Sequence, residues 1–331
     1  MSAPAIKRPP RRTSPAMQLL YLLEAGAFYA LMGFFRILGP RTASHAGGAF
    51  ARFLGPRIAV SRRAEENLKR AMPELSAPQR QAIIADMWEN LGRTFAEYAH
   101  LDWFHSTGDD AQITVEGEEH FREAIARGDG VIMVSGHFAN WELLLIGARQ
   151  RGFRGGTVYR PLNNPYVNAY IERQRRLYAL DEQIPKGGEG VRRIISVLKN
   201  KGILGMLIDQ KMNDGLPVPF FGIPAMTPTA AVQLAMRYGG TLVPASIRRT
   251  DKTRFVLKVF PAIDIPRTGT RNNDVRAALG ELNRFLEARI REAPSQWLWL
   301  HRRWPDEATA ARLKKASDLP QAEGRDVPET N

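Results

Sequence analysis

The feature that most constrains the fold is a strand-to-helix corner in the middle of the chain. Residues 131–135 form the run Val-Ile-Met-Val-Ser, which is typical of a buried strand, and residues 138–150 have the apolar spacing of a helix. Gly136 and His137 lie between them, and Glu142 comes five residues after the histidine. Because open α/β sheets bind ligands at the carboxyl ends of their strands, we expect chemistry at this corner.

The side chains at this corner suit a general base and its orienting partner. A neutral imidazole can accept a proton from a hydroxyl near pH 7, and a carboxylate can hold its tautomer and stabilise the imidazolium. We therefore predict that His137 is the base and that Glu142 orients it, or that Glu142 is itself the more important base. The structural alternative is a hydrogen-bonded loop histidine followed by a carboxylate that favours the helix dipole.

Strand-like and helix-like segments alternate along most of the chain. The predicted strands are 112–116, 131–135, 155–159, 203–208, 241–248 and 254–260. The predicted helices are 118–127, 138–150, 165–178, 189–200, 227–238 and 273–291, after two basic helices at 43–54 and 61–72 and a helix capped by Ser76. This alternation favours an α/β fold with a mixed, largely parallel sheet flanked by helices.

Three further polar side chains follow predicted strands. Arg160 follows the strand at 155–159, and Asp209 and Gln210 follow the strand at 203–208. A guanidinium at a strand end could clamp a phosphate or stabilise an oxyanion. Asp209 could hold a basic residue in place or contact acceptor hydroxyls. A surface arginine and a loop carboxylate are the structural alternatives for Arg160 and Asp209.

Composition restricts the partners of the chain. Its 331 residues include 47 Lys and Arg against 34 Asp and Glu, a formal net charge of +13. This excess indicates acidic partners such as phosphate groups, anionic lipid or an acidic carrier protein. The basic residues lack the motifs of nucleic-acid binding, so nucleic acid is not an expected partner. The absence of cysteine excludes disulfides, zinc thiolate sites and an acyl-cysteine intermediate.

A hydrophobic segment near the N-terminus predicts a membrane-anchoring helix at residues 17–39. Glu24 and Arg36 interrupt it, so a helix that spans the bilayer and a helix that lies in its interface both remain open, with a buried core helix as a third alternative. No Ala-x-Ala cleavage site follows, so a removed signal peptide is not expected. The predicted organisation is a basic disordered tail at 1–16, this helix, a single domain at 40–304, and a polar, disordered tail at 305–331.

Several ordered blocks together resemble one protein family. They are Ser135–Glu142, Tyr159–Pro161, Asp209–Gln210, Asn67–Glu74, Phe221–Thr227 and the Trp-rich segment 297–304. These blocks are similar to the lipid A biosynthesis acyltransferases, the lauroyl and myristoyl transferases that complete lipid A. The family has a His-x-x-x-x-Asp/Glu signature shared with the wider glycerolipid acyltransferases, and here His137 and Glu142 fill it. The resemblance covers most of residues 20–304.

The resemblance implies a glycerolipid acyltransferase-like fold and an enzyme at the cytoplasmic face of the bacterial inner membrane. Its substrates would be an acyl carrier protein thioester and a hydroxyl of a Kdo-bearing lipid A precursor, with anionic membrane lipid as a further partner. No metal or nucleotide cofactor is expected, because the thioester is already activated. Acylation of a phosphatidylinositol mannoside, a glycerophospholipid or an ornithine lipid remains an alternative, as does a non-catalytic membrane-binding protein.

In this interpretation His137 deprotonates the acceptor hydroxyl, Arg160 stabilises the oxyanion, and Asp209, Gln210 and Phe221 bind substrate. Phe220 and Phe221 are predicted to be exposed on a Pro-rich loop that lines the acyl chain. The segment 297–304 is predicted to be a buried Trp strand whose arginine heads lie in solvent. Neither the length of the acyl chain nor the acylated hydroxyl follows from the sequence.

Overall fold

A computed structural model describes residues 14–305 and Thr309. The predicted tails before residue 14 and after residue 305, apart from Thr309, lie outside the described residues. The helices are α1 (Pro15–Leu38), α2 (Pro40–Leu54), α3 (Ser61–Ala71), α4 (Ala77–Glu97), α5 (Glu119–Ala126), α6 (Glu142–Gln150), α7 (Pro165–Tyr178), α8 (Gly188–Lys199), α9 (Ala230–Tyr238) and α10 (Arg271–Glu292). The strands are β1 (Ile113–Glu116), β2 (Gly130–Ser135), β3 (Gly155–Tyr159), β4 (Glu182–Pro185), β5 (Ile203–Leu207), β6 (Leu216–Phe220), β7 (Ile223–Thr227), β8 (Gly240–Asp251) and β9 (Arg254–Val259).

Seven of these strands form one sheet in the order β1-β9-β8-β2-β5-β3-β4. Every neighbouring pair is parallel except β8 and β9, so the predicted mixed, largely parallel sheet is confirmed. The central strand is β2, and all of its residues are buried. Helices cover both of its faces, which explains why its sequence is a continuous apolar run and does not alternate.

The structure adds strands that the sequence did not predict. β4 is a short edge strand, and β6 and β7 form a separate antiparallel pair where a Pro-rich loop was predicted. Pro217, Pro219 and Pro224 argued against strands, but in a two-stranded sheet each strand is an edge and tolerates proline. The helix predicted at 138–150 begins only at Glu142, and an ordered loop precedes it.

The hydrophobic N-terminal helix forms as predicted. Ser14 caps α1, which is long and apolar enough to cross a membrane by length and composition. Only 17% of its most apolar 18-residue stretch is buried inside the protein, whereas a core helix is mostly buried. Its two interrupting charges contact the domain: Glu24 accepts a hydrogen bond from Asn164, and Arg36 pairs with Asp102.

The C-terminal segment after α10 corrects a prediction. Residues 297–304 form no strand beyond an isolated bridge between Trp297 and Phe138, although Trp297, Trp299 and Trp304 are buried as expected. Arg302 is exposed, but Arg303 is fully buried and donates hydrogen bonds to oxygens of Met226, Thr227 and Asn283. Burial lowers the pKa of Arg303 to about 10. Its prediction as a solvated head was wrong because the β6–β7 pair and α10 supply the acceptors that water would otherwise provide.

Candidate active site

The sheet brings the polar strand ends together at one edge. β2 lies directly between β5 and β8, and β3 lies on the far side of β5. Since β2, β3 and β5 are parallel, their carboxyl ends meet at the same edge. His137 follows β2, Arg160 follows β3, and Asp209 with Gln210 follows β5. The predicted convergence of these side chains is therefore present.

His137, whose side chain is 15% exposed, pairs with the buried Asp209. Nδ1 of His137 lies 2.7 Å from Oδ1 of Asp209, and the backbone N–H of His137 donates to Oδ2 at 2.8 Å. The indole N–H of Trp297 also donates to Oδ2 at 2.8 Å. Burial alone would raise the pKa of Asp209, but the imidazole and these donors hold that pKa well below its ordinary value. The carboxylate is therefore ionised, accepts hydrogen bonds only, and fixes the proton of His137 on Nδ1.

The other ring nitrogen of His137 faces the side-chain amide of Gln210. The side-chain amide nitrogen of Gln210 lies 3.3 Å from Nε2 of His137 and 2.9 Å from Nε2 of His301. With Nδ1 protonated, Nε2 of His137 accepts a hydrogen bond from this amide. This tautomer of the imidazole is the one that a general base requires. Burial and the neighbouring His137 lower the pKa of His301 to about 4. His301 was not predicted as a site residue, because only its position among tryptophans marks it in the sequence.

The structure corrects the predicted partner of the base. Glu142 is 2% exposed and its two carboxylate oxygens accept from Nη2 and Nε of Arg175 at 2.5 and 2.8 Å. The indole of Trp141 donates to the same carboxylate at 3.1 Å. Burial raises the pKa of Glu142 but the guanidinium outweighs it, so that the net shift is downward. Asp209, and not Glu142, is the carboxylate that orients the ring of His137.

The loop between β2 and α6 explains this difference. Ala139 has a φ of 43°, in the left-handed region that residues with a side chain rarely adopt. Its N–H donates to the carbonyl of Gln296 at 2.8 Å, and its carbonyl accepts from Thr94 at 3.1 Å and Asn90 at 3.2 Å. Helix α6 begins only after this turn. The carboxylate of Glu142 then contacts Arg175 on α7 and not the imidazole of His137.

A second buried network holds the same loop from the helical layer. Asn140 donates to Glu97 at 2.9 Å, and the Glu97 carboxylate accepts from Arg249 at 2.6 and 3.1 Å. Ser44 on α2 donates to Glu97 at 2.7 Å. Asn140 therefore has a structural partner, and the contacts tie α2 and α4 to the loop that positions His137.

A cavity of about 840 Å³ opens beside His137. Its apolar lining includes Met133, Leu144, Leu145, Ile194, Met206 and Leu234. Met133 and Gly205 are paired across β2 and β5 two residues before the strand ends, so the cavity runs from His137 along the sheet. Its volume lies within the roughly 300–1,000 Å³ range of small-molecule sites. The shape and lining suit a flexible hydrocarbon chain.

The cavity is also lined by five cations. They are Arg160, Lys186, Lys211, Arg237 and Arg271. None of the five forms an ion pair with an acidic residue of the described part of the chain. A concentration of positive charge of this kind favours binding of an anion. Among residues 14–305 and Thr309, no group of three or more His, Asp or Glu side chains is arranged to hold a metal ion.

The aromatic residues of the β6–β7 pair do not join this site. Phe220 is fully buried and stacks on Trp304, so its predicted exposure is wrong. Phe221 lies at the turn between the strands, where its N–H donates to Glu287 at 2.7 Å and the guanidinium of Arg291 lies 5.0 Å from its ring centroid. The described lining of the cavity contains neither phenylalanine. The strand pair packs on α10, and Phe220 packs against Trp297 and Trp304.

Comparison with known proteins gives the same family along nearly the whole chain. The profile described as bacterial lipid A biosynthesis acyltransferase matches residues 13–306. The lipid A biosynthesis lauroyltransferase of Escherichia coli (strain K12) is 30% identical over 260 residues, covering 76% of this chain and 80% of that protein. The palmitoleoyltransferase of the same organism is 28% identical over 268 residues, with coverages of 78% and 82%.

More distant relatives are named for other lipid substrates. A phosphatidylinositol mannoside acyltransferase of Mycobacterium tuberculosis (strain CDC 1551 / Oshkosh) is 23% identical over 268 residues, covering 80% of this chain and 81% of that protein. Among solved structures, the 1-acyl-sn-glycerophosphate acyltransferase PlsC from Thermotoga maritima matches with 18% identity and a TM-score of 0.35. That match covers 80% of this chain and 98% of the other.

Proposed function

The chain belongs to the bacterial lipid A biosynthesis acyltransferase family, and from this premise we propose which acyl transfer it performs. The proposed reaction moves a fatty acyl group from the thioester of an acyl carrier protein to a hydroxyl of a Kdo-bearing lipid A precursor. The observation that supports it most strongly is the His137–Asp209 pair at the mouth of an apolar cavity. Such a pair can act as the general base that activates a hydroxyl, and the cavity suits the acyl chain.

The proposed chemistry begins at Nε2 of His137. The acceptor hydroxyl displaces the Gln210 amide from this nitrogen and donates its proton to the ring, while Asp209 stabilises the imidazolium. The hydroxyl oxygen then forms a bond to the thioester carbonyl carbon. As the tetrahedral intermediate collapses, the carbon–sulfur bond breaks and the imidazolium returns the proton to the leaving thiolate. The base is regenerated, and an ester and a free thiol are the products.

The oxyanion of the intermediate needs positive or N–H partners. Arg160 lines the cavity, is exposed, and makes no ion pair within the described residues, so its guanidinium is free to meet this charge. The Gln210 amide is a second candidate, because its contact with His301 holds it beside the base after it leaves Nε2. We assign Arg160 and Gln210 to this role and Asp209 to the orientation of His137.

We propose direct transfer without an acyl-enzyme. Ser135 is the nearest hydroxyl in sequence, but it is 1% exposed and donates to the carbonyl of Gly136 at 3.4 Å. It also lacks the Gly-x-Ser-x-Gly elbow that presents a nucleophilic serine. Initial-rate patterns are expected to intersect. Trapping of a labelled acyl group on the enzyme without acceptor, and its loss in Ser135→Ala, would overturn direct transfer.

The access route supports a membrane substrate. The segment 161–163 lines the cavity, and the adjacent Asn164 donates to the carbonyl of Tyr21 at 2.9 Å and to Glu24 at 3.0 Å on α1. The cavity therefore opens beside the apolar N-terminal helix. We propose that α1 attaches the protein to the cytoplasmic face of the inner membrane, and that the cations of the cavity meet lipid phosphates or the acidic carrier protein.

One assay tests this function and its main alternative. Purified protein is incubated with labelled acyl carrier protein and either a Kdo-bearing lipid A precursor or a phosphatidylinositol mannoside, and products are identified by mass spectrometry. We expect an acylated lipid A precursor. The mycobacterial relatives motivate the second acceptor, and product formed from it alone would replace our assignment. No product from either, with a folded protein, would favour a non-catalytic membrane-binding role.

A further inference from the structure

Helix α2 places its smallest residues inside the protein. The residues of α2 that are buried against α4 are Ala43, Ser44, Gly47 and Gly48. The two helices approach so closely that a Cβ added at Gly47 would lie 2.7 Å from the carbonyl oxygen of Gly92. The inner face of α2 thus has no room for large apolar side chains.

The outer side of α2 and of the turn that follows it is apolar and large. Phe50 and Phe53 are each 66% exposed, Leu54 is 42% exposed and Ile58 is 44% exposed. We call these four residues the α2 outer face. In a helix that faces water the large apolar residues lie inside, so this arrangement is reversed. A grouped apolar surface of this kind marks a place where another apolar phase covers the protein.

The charges around the α2 outer face identify that phase. Residues 25–64 contain six arginines and no Asp or Glu. Of these, Arg41, Arg57 and Arg62 form no ion pair with any described residue. The guanidinium of Arg57 lies 4.4 Å from the ring centroid of Phe53. Aromatic side chains flanked by arginines that have no acidic partner among the described residues suit the boundary between acyl chains and anionic headgroups.

The α2 outer face continues an apolar surface on α1. The two helices are joined at Gly39, which has a φ of 73°. On α1, Leu23 is 64% exposed and Phe34 is 53% exposed. Glu24 in the first half of α1 and Arg36 in its last turn both contact the domain, so α1 lies against the domain between these two positions. Both helices are thus held against the same domain, while Leu23, Phe34 and the α2 outer face are uncovered.

We propose that the α2 outer face inserts into the surface of an anionic bilayer, the same bilayer that α1 contacts. The protein then rests on the membrane through two helices, and α4 links this contact to the site because its Asn90 and Thr94 bond the loop that follows His137. This inference rests on the proposed membrane localisation. It does not depend on the acyl acceptor or on acyl transfer.

The chain has no cysteine, so a single introduced thiol can report the position of one residue in the full-length protein. Phe53→Cys is labelled with an environment-sensitive fluorophore and mixed with vesicles of phosphatidylglycerol and phosphatidylethanolamine that contain a lipid-chain quencher. Phe34→Cys on α1 is the positive control, and Glu281→Cys on α10, with 54% side-chain exposure, is the matched exposed control. We expect a blue shift and severalfold quenching at positions 53 and 34, and neither at position 281.

Labels at position 53 that stay in water, while those at position 34 are quenched, would overturn the inference. Phe50→Cys provides a second reporter, which replaces Phe53→Cys if that variant does not fold. Labels that stay in water at position 50 would overturn the inference in the same way. The acyl-transfer assay is run on the unlabelled variants in parallel. A quenched label on a protein that transfers no acyl group would refute the proposed function and leave this inference standing.

Discussion

Two buried carboxylates flank the same corner of the sheet, and each is paired with a different kind of nitrogen base. Asp209 binds the imidazole of His137, and Glu142 binds the guanidinium of Arg175. An imidazole exchanges its proton near pH 7, whereas a guanidinium stays charged. The first pair leaves Nε2 of His137 beside the cavity, where only the Gln210 amide contacts it, and the second pair has no proton to exchange. The role of each carboxylate therefore depends on the side chain that it binds, and not on its position in a sequence motif.

The two pairs should also fail differently. Removing one partner of a buried ion pair leaves an uncompensated charge, which costs stability. Removing the carboxylate behind a catalytic imidazole instead costs the correct tautomer, which reduces turnover. Matched substitutions in the two pairs therefore separate a positioning role in chemistry from a role in the scaffold.

The largest effect is expected for the base itself. His137→Ala should lower kcat by roughly 10²–10⁴-fold, because the acceptor hydroxyl loses its proton acceptor. The fold should persist, since the Asp209 carboxylate keeps the N–H donors of residue 137 and Trp297. Steady-state kinetics with circular dichroism as the control for folding measures both. Turnover near that of the wild type would remove His137 from the mechanism.

The second pair should respond mainly in stability. Glu142→Gln leaves the Arg175 guanidinium buried without its counter-charge, which should cost about 3–5 kcal/mol of the free energy of unfolding. The double variant Glu142→Gln with Arg175→Met should recover much of that loss, because no charge then remains buried. Denaturant unfolding in detergent tests this. Full stability with abolished activity in Glu142→Gln would show that Glu142 acts in the chemistry.

His301 provides a pH-dependent test of the first pair's surroundings. Its pKa is lowered to about 4 from an ordinary 6.5. Between these values the unfolded chain binds a proton that the folded protein does not, so this residue should cost about 2 kcal/mol of stability as pH falls from 7 to 5. His301→Gln keeps an acceptor for Gln210 but does not titrate. Its stability should therefore fall less over this range, and equal losses in both proteins would contradict the buried, neutral state of His301.

His301→Phe separates positioning from packing. It keeps a ring of similar size but gives the Gln210 amide no acceptor, so kcat should fall while KM and thermal stability change little. His301→Gln should restore most of the activity. If the phenylalanine variant is as active as the glutamine variant, the contact between His301 and Gln210 has no part in turnover.

The smallest effect is expected at Arg160. Arg160→Lys keeps the charge but loses the planar, bidentate guanidinium, and should lower kcat/KM by roughly tenfold. Kinetics at varied acceptor concentration, with Arg154→Lys on the exposed surface as the matched control, measure this difference. If lysine substitutes without loss, Arg160 supplies only a diffuse positive charge.

The sequence predicted the elements whose signal is local. β2 was recognised from its β-branched run, and His137 from the Gly-His corner that follows it. The pairing of His137 with Asp209 was not predicted, because 72 residues separate them and only the adjacency of β2 and β5 brings them together. That adjacency depends on how the whole sheet is assembled, which no short window of sequence contains.

Other differences have equally specific causes. Glu142 was expected beside the imidazole because its spacing places it at the same corner, but the left-handed Ala139 redirects the loop. Arg303 was expected in solvent because isolated arginines usually are, but distant segments supply three oxygen acceptors for it. In both cases the expectation came from neighbouring residues in the sequence, and contacts with elements far away in the chain determine the observed position of the side chain.

The central claim is that Asp209 orients the base and Glu142 does not. The most direct test compares kcat of Asp209→Asn and Glu142→Gln in one acyl-transfer assay, at a temperature where unfolding measurements show both variants folded. We predict that Asp209→Asn lowers kcat by roughly 10²–10⁴-fold and Glu142→Gln by less than about tenfold. The opposite order, with Asp209→Asn close to wild type and Glu142→Gln inactive while folded, would contradict the account.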